Sequence, residues 1–74
     1  MSDPIPARVV LVEDHTMVRQ LFAHLLRDEL GLTLAADCTT VADAMVALLR
    51  ENPDLAVVDW MLPDGRGFDL VRQI

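Results

Sequence analysis

The sequence lacks lysine, contains one cysteine and three glycines, and has no long uninterrupted apolar stretch. A membrane-spanning helix needs roughly 18 or more consecutive apolar residues, and polar side chains interrupt every stretch here, so we expect no membrane segment. Cys38 cannot form a disulfide within the chain, which favours a small buried side chain in a reducing, cytoplasmic compartment. A Gly-x-Gly-x-x-Gly motif is also missing after the first apolar segment, which argues against dinucleotide binding.

Basic residues are scarce: twelve acidic residues stand against six arginines, giving a net charge of −6. Such a segment repels phosphate, so we expect it not to bind nucleic acid directly. A hydrophobic content of 53% over 74 residues predicts one small globular domain. Residues 1–7 are polar and contain two prolines, and we interpret them as a flexible N-terminal tail with no apolar signal-peptide core.

Two largely apolar segments, 8–12 and 55–58, are each followed directly by acidic residues. Unbroken Val and Leu indicate strands that are buried on both faces, as in parallel sheets. The carboxyl ends of parallel strands lie along one edge, where ligands of open α/β sheets bind. Glu13, Asp14 and Asp59 should therefore converge there. Because three close carboxylates repel one another unless a proton or cation intervenes, the pattern predicts a magnesium site.

Two helices are predicted between these strands. The first runs from Thr16 to about residue 30, ends before a left-handed Gly31, and carries the apolar stripe Val18, Leu21, Phe22, Leu25 and Leu26. The second begins after Thr40 as N-cap, with Asp43 three residues on, and ends at Asn52-Pro53. Its predicted stripe comprises Val41, Ala44, Met45, Leu48 and Leu49.

The remaining predicted elements complete the order β-α-β-α-β-α, with right-handed crossovers. Residues 32–36 form a short second strand, and residues 68–74 begin a third helix. Pro63, Gly65 and Gly67 mark a loop, in which Asp64 is interpreted as a solvated turn residue. His15 is assigned to a loop or to the helix entry rather than to the metal, because magnesium prefers oxygen ligands.

At this point the residues resemble a known family. Val-Leu-Val-Glu13-Asp14-His15, followed by Asp59 and then Met-Leu-Pro63 and Gly67, is similar to the receiver domain of bacterial two-component response regulators. The stretch from Asp14 to Arg19 further resembles the subfamily that carries a C-terminal helix-turn-helix DNA-binding domain. The resemblance implies a flavodoxin-like doubly wound parallel sheet, here cut to strand order 2-1-3, with residues 8–74 as the N-terminal part of a receiver.

The resemblance also implies a function. Asp59 would be the phosphoacceptor for a sensor histidine kinase, with Mg²⁺ held by Asp14, Asp59 and the backbone carbonyl of Met61, and by Glu13 through a water. Enzymatic activity would at most be self-catalysed phosphoryl transfer and autodephosphorylation in the full-length protein. Receivers also use a hydroxyl residue after their fourth strand and a lysine after their fifth, and this chain has neither element. We therefore expect the 74-residue segment alone to be labelled slowly or not at all.

Two other function classes stay open. A truncated receiver that never accepts phosphate would act as a dimerisation or interaction module, pairing through the exposed third strand or the first helix. An aspartate-nucleophile phosphatase would also place an aspartate after a strand, but such enzymes usually carry a second aspartate two residues later. This chain has Met61 at that position, so the phosphatase ranks lower.

Overall fold

The computed structural model describes residues 5–59 and 61–66, with Met61 described by its backbone only. The predicted tail is therefore described only from Ile5, and the predicted third helix lies outside the described residues. The elements are β1 (Arg8–Val12), α1 (Thr16–His24), β2 (Thr33–Cys38), α2 (Val41–Glu51), β3 (Leu55–Val58), β4 (Met61–Leu62) and β5 (Gly65–Arg66).

Strand β1 lies at the centre of a three-stranded sheet with the order β2-β1-β3. Both neighbours run parallel to β1, with Val12 opposite Cys38 on one side and Val58 on the other. The predicted flavodoxin-like α/β class, the parallel sheet and the 2-1-3 order are confirmed. The bounds of β1 and β3 also agree with the prediction.

The sheet is covered on both faces because the side chains of β1 alternate between them. Val10 and Val12 pack in one buried cluster with Ala44 and Ala47 of α2. Val9 and Leu11 face the opposite side, where they pack with two residues of the first helical segment, Ala23 and Leu26. A strand that is buried on both faces needs apolar residues at every position, which explains its unbroken Val-Val-Leu-Val sequence.

The helix ends follow the local signals in the sequence. The Thr40 hydroxyl accepts a hydrogen bond from the Asp43 N–H (3.1 Å) at the start of α2. Asn52 ends that helix in the left-handed region at φ 46°, and Gly31 has φ 68° after the first helical segment, as expected of residues that tolerate this conformation. Among the described helices, none has the length and apolar composition needed to cross a bilayer.

Three details of the predicted elements were wrong. Strand β2 spans Thr33–Cys38 instead of 32–36, because its pairing with β1 continues to the end of that strand. The predicted α1 ends at His24 and continues as a π-helical turn over Leu25–Glu29. The segment around Pro63 was predicted as a loop, but β4 and β5 pair there as a short antiparallel hairpin.

The buried helix faces match the predicted stripes in part. In α1 and the turn that follows, Leu26 of the stripe is buried together with Ala23, whereas Val18, Leu21, Phe22 and Leu25 are exposed. In α2 most of the stripe is confirmed: Ala44 is buried, and Val41, Met45 and Leu48 pack partly buried against the same cluster, while Leu49 is 82% exposed. Ala23 and Ala47 lie outside the predicted stripes and are buried as well.

Asp64 is an exposed turn residue, as predicted, and it makes a contact that the sequence did not indicate. Its carboxylate accepts hydrogen bonds from the backbone N–H groups of Val41 (2.7 Å, Oδ1) and Ala42 (3.0 Å, Oδ2), in the first turn of α2. These two bonds hold the pKa of the Asp64 carboxyl below its usual value of 3.8. Asp64 therefore also caps α2 from a distant part of the chain, and it joins the β4–β5 hairpin to that helix.

Truncation of the central strand should destabilise the fold far more than truncation of an exposed helix residue. Leu11→Ala, at a position 1% exposed, should lower the free energy of unfolding by about 2–5 kcal/mol, because it removes transfer energy and leaves a cavity. Leu49→Ala is the matched control, with a change within about 0.5 kcal/mol. Chemical denaturation measures both. Equal losses would place Leu49 in the core, as the sequence periodicity predicted.

Candidate functional site

The candidate site begins where strands β1 and β3 end. The Glu13 N–H donates to the Cys38 carbonyl (2.9 Å), and the Asp59 N–H donates to the Val12 carbonyl (2.8 Å). These two bonds continue the parallel hydrogen-bonding pattern one residue beyond β1 and β3. They fix the backbone of Glu13 and Asp59 side by side at the carboxyl edge of the sheet, which is where ligands of this architecture bind.

Four side chains meet at this edge. Glu13, Asp14, His15 and Asp59 each offer one potential ligand atom, and these atoms all lie within 4.8 Å of one another. The structure thus brings together the three carboxylates that the sequence predicted would converge. Glu13 is buried, at 6% exposure, while Asp14 and Asp59 are partly buried and His15 is exposed.

The Asp14 carboxylate carries the clearest sign of a missing partner. Its Oδ1 atom is buried and accepts no hydrogen bond, although the ring Nδ1 of His15 lies 3.2 Å away. A buried acceptor without a hydrogen bond is costly. A hard divalent cation would satisfy this oxygen and offset the repulsion among the carboxylates, so the donor set fits Mg²⁺.

His15 lies at the helix entry, as the sequence predicted, and contacts the acidic cluster. It is the N-cap residue of α1, and both its backbone N–H (3.1 Å) and its ring Nδ1 (3.0 Å) contact the Oε1 atom of Glu13. That hydrogen bond is the main cause that raises the pKa of His15 above 6.5, followed by the charges of Asp14 and Glu13. The imidazole therefore favours its protonated form, in which it counters the negative cluster.

A largely apolar cavity borders two residues of the acidic cluster. Glu13 and Asp59 border a shallow cavity of about 200 Å³ whose other lining residues are Leu11, Val12, Phe22, Val57 and Val58. Apolar surroundings lower the local dielectric constant and strengthen the interaction of these two carboxylates with any cation bound beside them.

Sequence reasoning missed one cation beside the site. The guanidinium of Arg19, in the second turn of α1, donates a hydrogen bond to the Glu13 carbonyl (3.4 Å). The contact spans six residues, and no short-range pattern in the sequence marks it. Arg19 is partly buried and places a permanent positive charge next to the backbone of the acidic pair.

The other predicted site residues are only partly described. Met61 lies in β4, where its backbone pairs with Arg66, and its carbonyl stays a predicted metal ligand. Pro63 lies exposed in the turn between β4 and β5. The loop-ending Gly67 and the tryptophan at position 60 lie outside the described residues.

Comparison with known proteins shows which family this sequence matches. Residues 9–74 match the family model of the response regulator receiver domain. The chain is 39% identical over 67 residues to the DNA-binding transcriptional activator DevR/DosR of Mycobacterium tuberculosis, covering 90% of this chain and 31% of that protein. It is 34% identical to the chemotaxis protein CheY of Pseudomonas aeruginosa, covering 90% of this chain and 53% of that one.

Solved structures show the same likeness. A LuxR-family two-component response regulator from Aurantimonas superposes with a TM-score of 0.86 at 30% identity, covering 95% of this chain and 50% of that one. The receiver domain of the PhyR response regulator from Erythrobacter litoralis gives a TM-score of 0.84 at 28% identity, covering 92% and 53%. The chain thus spans about a third to a half of the length of these relatives.

The raised pKa of His15 can be measured directly. An NMR titration should place it above 6.5, and Glu13→Gln should lower it by removing a charge and weakening the hydrogen bond. Because the folded-state pKa is raised, the proton on His15 stabilises the fold fully below pH 6.5, and this contribution is lost as pH rises through the folded-state pKa. Glu29→Gln removes an equal charge away from His15 and should leave its pKa unchanged. An unchanged value in Glu13→Gln would contradict this account of the site.

Proposed function

The chain belongs to the response regulator receiver domain family, and we propose that it accepts a phosphoryl group on Asp59 from a sensor histidine kinase, with Mg²⁺ bound beside it. The convergence of Glu13, Asp14 and Asp59 within 4.8 Å carries this proposal. The buried Oδ1 atom of Asp14, which accepts no hydrogen bond, supports the metal part of it.

Asp59 is suited to the role of nucleophile. Its backbone is held by the hydrogen bond to Val12, and its side chain is only partly buried. A carboxylate oxygen of Asp59 attacks the phosphorus of a phosphohistidine, forming an O–P bond as the P–N bond breaks. The P–N electron pair returns to the donor imidazole, which then takes up a proton. The product is an aspartyl-phosphate, a known form of carboxylate nucleophilic catalysis.

Asp14 and Asp59 would ligate the metal directly, Glu13 through a water, and Met61 through its backbone carbonyl. When bound, Mg²⁺ neutralises charge on the phosphoryl oxygens. The carboxylates alone would repel an incoming phosphoryl group, because the carboxylates and that group both carry negative charge. The apolar residues Leu11, Val57 and their neighbours line the cavity beside Glu13 and Asp59, and they lower the local dielectric constant there.

Partners and output follow from the same proposal. The histidine kinase is the phosphoryl donor, and the reducing environment that fits the buried Cys38 thiol favours the cytoplasm. One relative is a DNA-binding transcriptional activator, which supports transcriptional regulation by the protein as a whole. The acidic segment itself would not contact DNA, so a separate domain would do so. Enzymatic activity would be limited to self-catalysed phosphoryl transfer and autodephosphorylation.

A second candidate function is an interaction module that does not accept phosphate. Among the described residues, large apolar side chains are exposed on α1, including Met17 and Leu21, the latter at 64% exposure. Strand β3 pairs with β1 on one side, and Leu55 on β3 is exposed. Such surfaces favour association with a second copy of the chain, by helix packing or by strand pairing.

Phosphoryl labelling of the full-length protein tests the proposal. Incubation with acetyl phosphate and Mg²⁺ should add one phosphoryl group, located at Asp59 by mass spectrometry, and Asp59→Asn should abolish it. Chelation of Mg²⁺ should slow labelling by on the order of 10²-fold, because the phosphoryl oxygens lose their charge neutralisation.

Asp54→Asn is the matched control, because Asp54 precedes β3 at the opposite edge of the sheet and contacts the backbone of Arg8. This variant should be labelled like the wild type. Labelling that persists in Asp59→Asn would show another acceptor. The absence of any label with either acetyl phosphate or a kinase would favour the interaction module instead.

A further inference from the structure

Asp64 connects two parts of the chain that are distant in sequence. Its two carboxylate oxygens accept hydrogen bonds from the backbone N–H groups of Val41 (2.7 Å) and Ala42 (3.0 Å). These partners lie 23 and 22 residues earlier in the chain. A two-oxygen contact to two fixed amides defines both the position and the orientation of the turn that carries Asp64.

The turn is the continuation of the segment that follows Asp59. Strand β4 begins two residues after Asp59, and Leu62 is buried in the cluster formed by β1 and α2. Asp64 then follows in the turn that leads to β5. The segment is thus anchored twice, through Leu62 in the core and through the Asp64 carboxylate on α2.

The contact of Asp64 is separate from the helix's own cap. The Thr40 hydroxyl already accepts from the Asp43 N–H, and the Thr40 carbonyl accepts from the Ala44 N–H (3.1 Å). Both of these Thr40 bonds lie within the start of α2, and neither involves the β4–β5 hairpin. A comparison of variants at Thr40 and Asp64 therefore separates the effect of capping α2 from the effect of holding the hairpin.

We propose that Asp64 is a positioning residue that fixes the backbone of the β4–β5 hairpin, including the Met61 carbonyl, and thereby sets the Mg²⁺ affinity of the acidic site. This inference rests on the proposed function, in which Met61 and Asp59 are metal ligands. Asp64 itself does not belong to the cluster of potential ligands. It acts through the hairpin.

Magnesium makes the site sensitive to such positioning. The ion requires nearly octahedral ligands at about 2.0–2.1 Å, so a small displacement of one backbone ligand weakens binding. Groups that orient metal ligands typically change metal affinity by about 10- to 100-fold when removed. The two backbone hydrogen bonds lower the pKa of Asp64 below 3.8, so its carboxylate accepts both bonds in the ionised form at neutral pH, where the ion binds.

Mg²⁺ titration of the full chain tests the proposal, followed by emission of the tryptophan at position 60, the only one in the sequence. Asp64→Ala should raise the Mg²⁺ dissociation constant by about tenfold. Asp64→Asn should give a smaller rise, because its amide oxygen still accepts one of the two bonds. Thr40→Ala is the control, and its dissociation constant should equal that of the wild type although α2 loses its own cap.

The outcomes separate this inference from the proposed function. If the wild type binds Mg²⁺ and the dissociation constant is unchanged in Asp64→Ala, only the positioning role is overturned. Equal weakening in Thr40→Ala would trace the effect to general loosening of α2 and would also overturn it. A wild type with no Mg²⁺ response would overturn the metal site and this inference with it. If Asp64→Ala does not fold, an unchanged constant in Asp64→Asn decides against the proposal.

Discussion

The burial of strand β1 between two parallel neighbours is the constraint on which the rest of the structure depends. Its apolar side chains fill the contact with α2 on one face and with the first helical segment on the other. Because β2 and β3 run in the same direction as β1, all three strands end at one edge. Glu13 follows β1 and Asp59 follows β3, so the geometry of the sheet alone brings these carboxylates together. The acidic site is a consequence of the strand order.

That convergence has an electrostatic cost, and the structure offsets part of it. His15 contacts both Glu13 and Asp14, and its raised pKa reflects the attraction between its proton and their charges. The Oδ1 atom of Asp14 remains buried without a hydrogen bond. A folded protein retains such a group where it serves binding or catalysis. A site with an excess of negative charge and an oxygen available for a ligand is suited to a divalent cation, and then to a phosphoryl group.

The sequence predicted those parts of the fold that depend on local signals or on strand burial. The two apolar segments gave β1 and β3, and Thr40 and Gly31 marked helix boundaries through the preferences of their own backbones and side chains. The contacts that were missed are long-range ones. The carboxylate of Asp64 contacts backbone groups of α2 that lie 23 and 22 residues earlier in the chain, and the sequence of its turn does not indicate that partner. The buried face of α2 was predicted apart from Leu49. The face of the first helical segment was misjudged except for Leu26, because the small Ala23 packs against the sheet and a periodicity of large residues does not reveal it.

The central claim is that the carboxylates after β1 and β3 form one magnesium site around Asp59, the proposed phosphoacceptor. A crystal structure of the protein grown with Mg²⁺, or with Mn²⁺ for its anomalous signal, tests this most directly. The account predicts one octahedral ion bound between Asp14 and Asp59, with carboxylate oxygens at about 2.0–2.1 Å for Mg²⁺. An ion bound elsewhere on the chain, or carboxylates that remain without metal at saturating concentration, would contradict it.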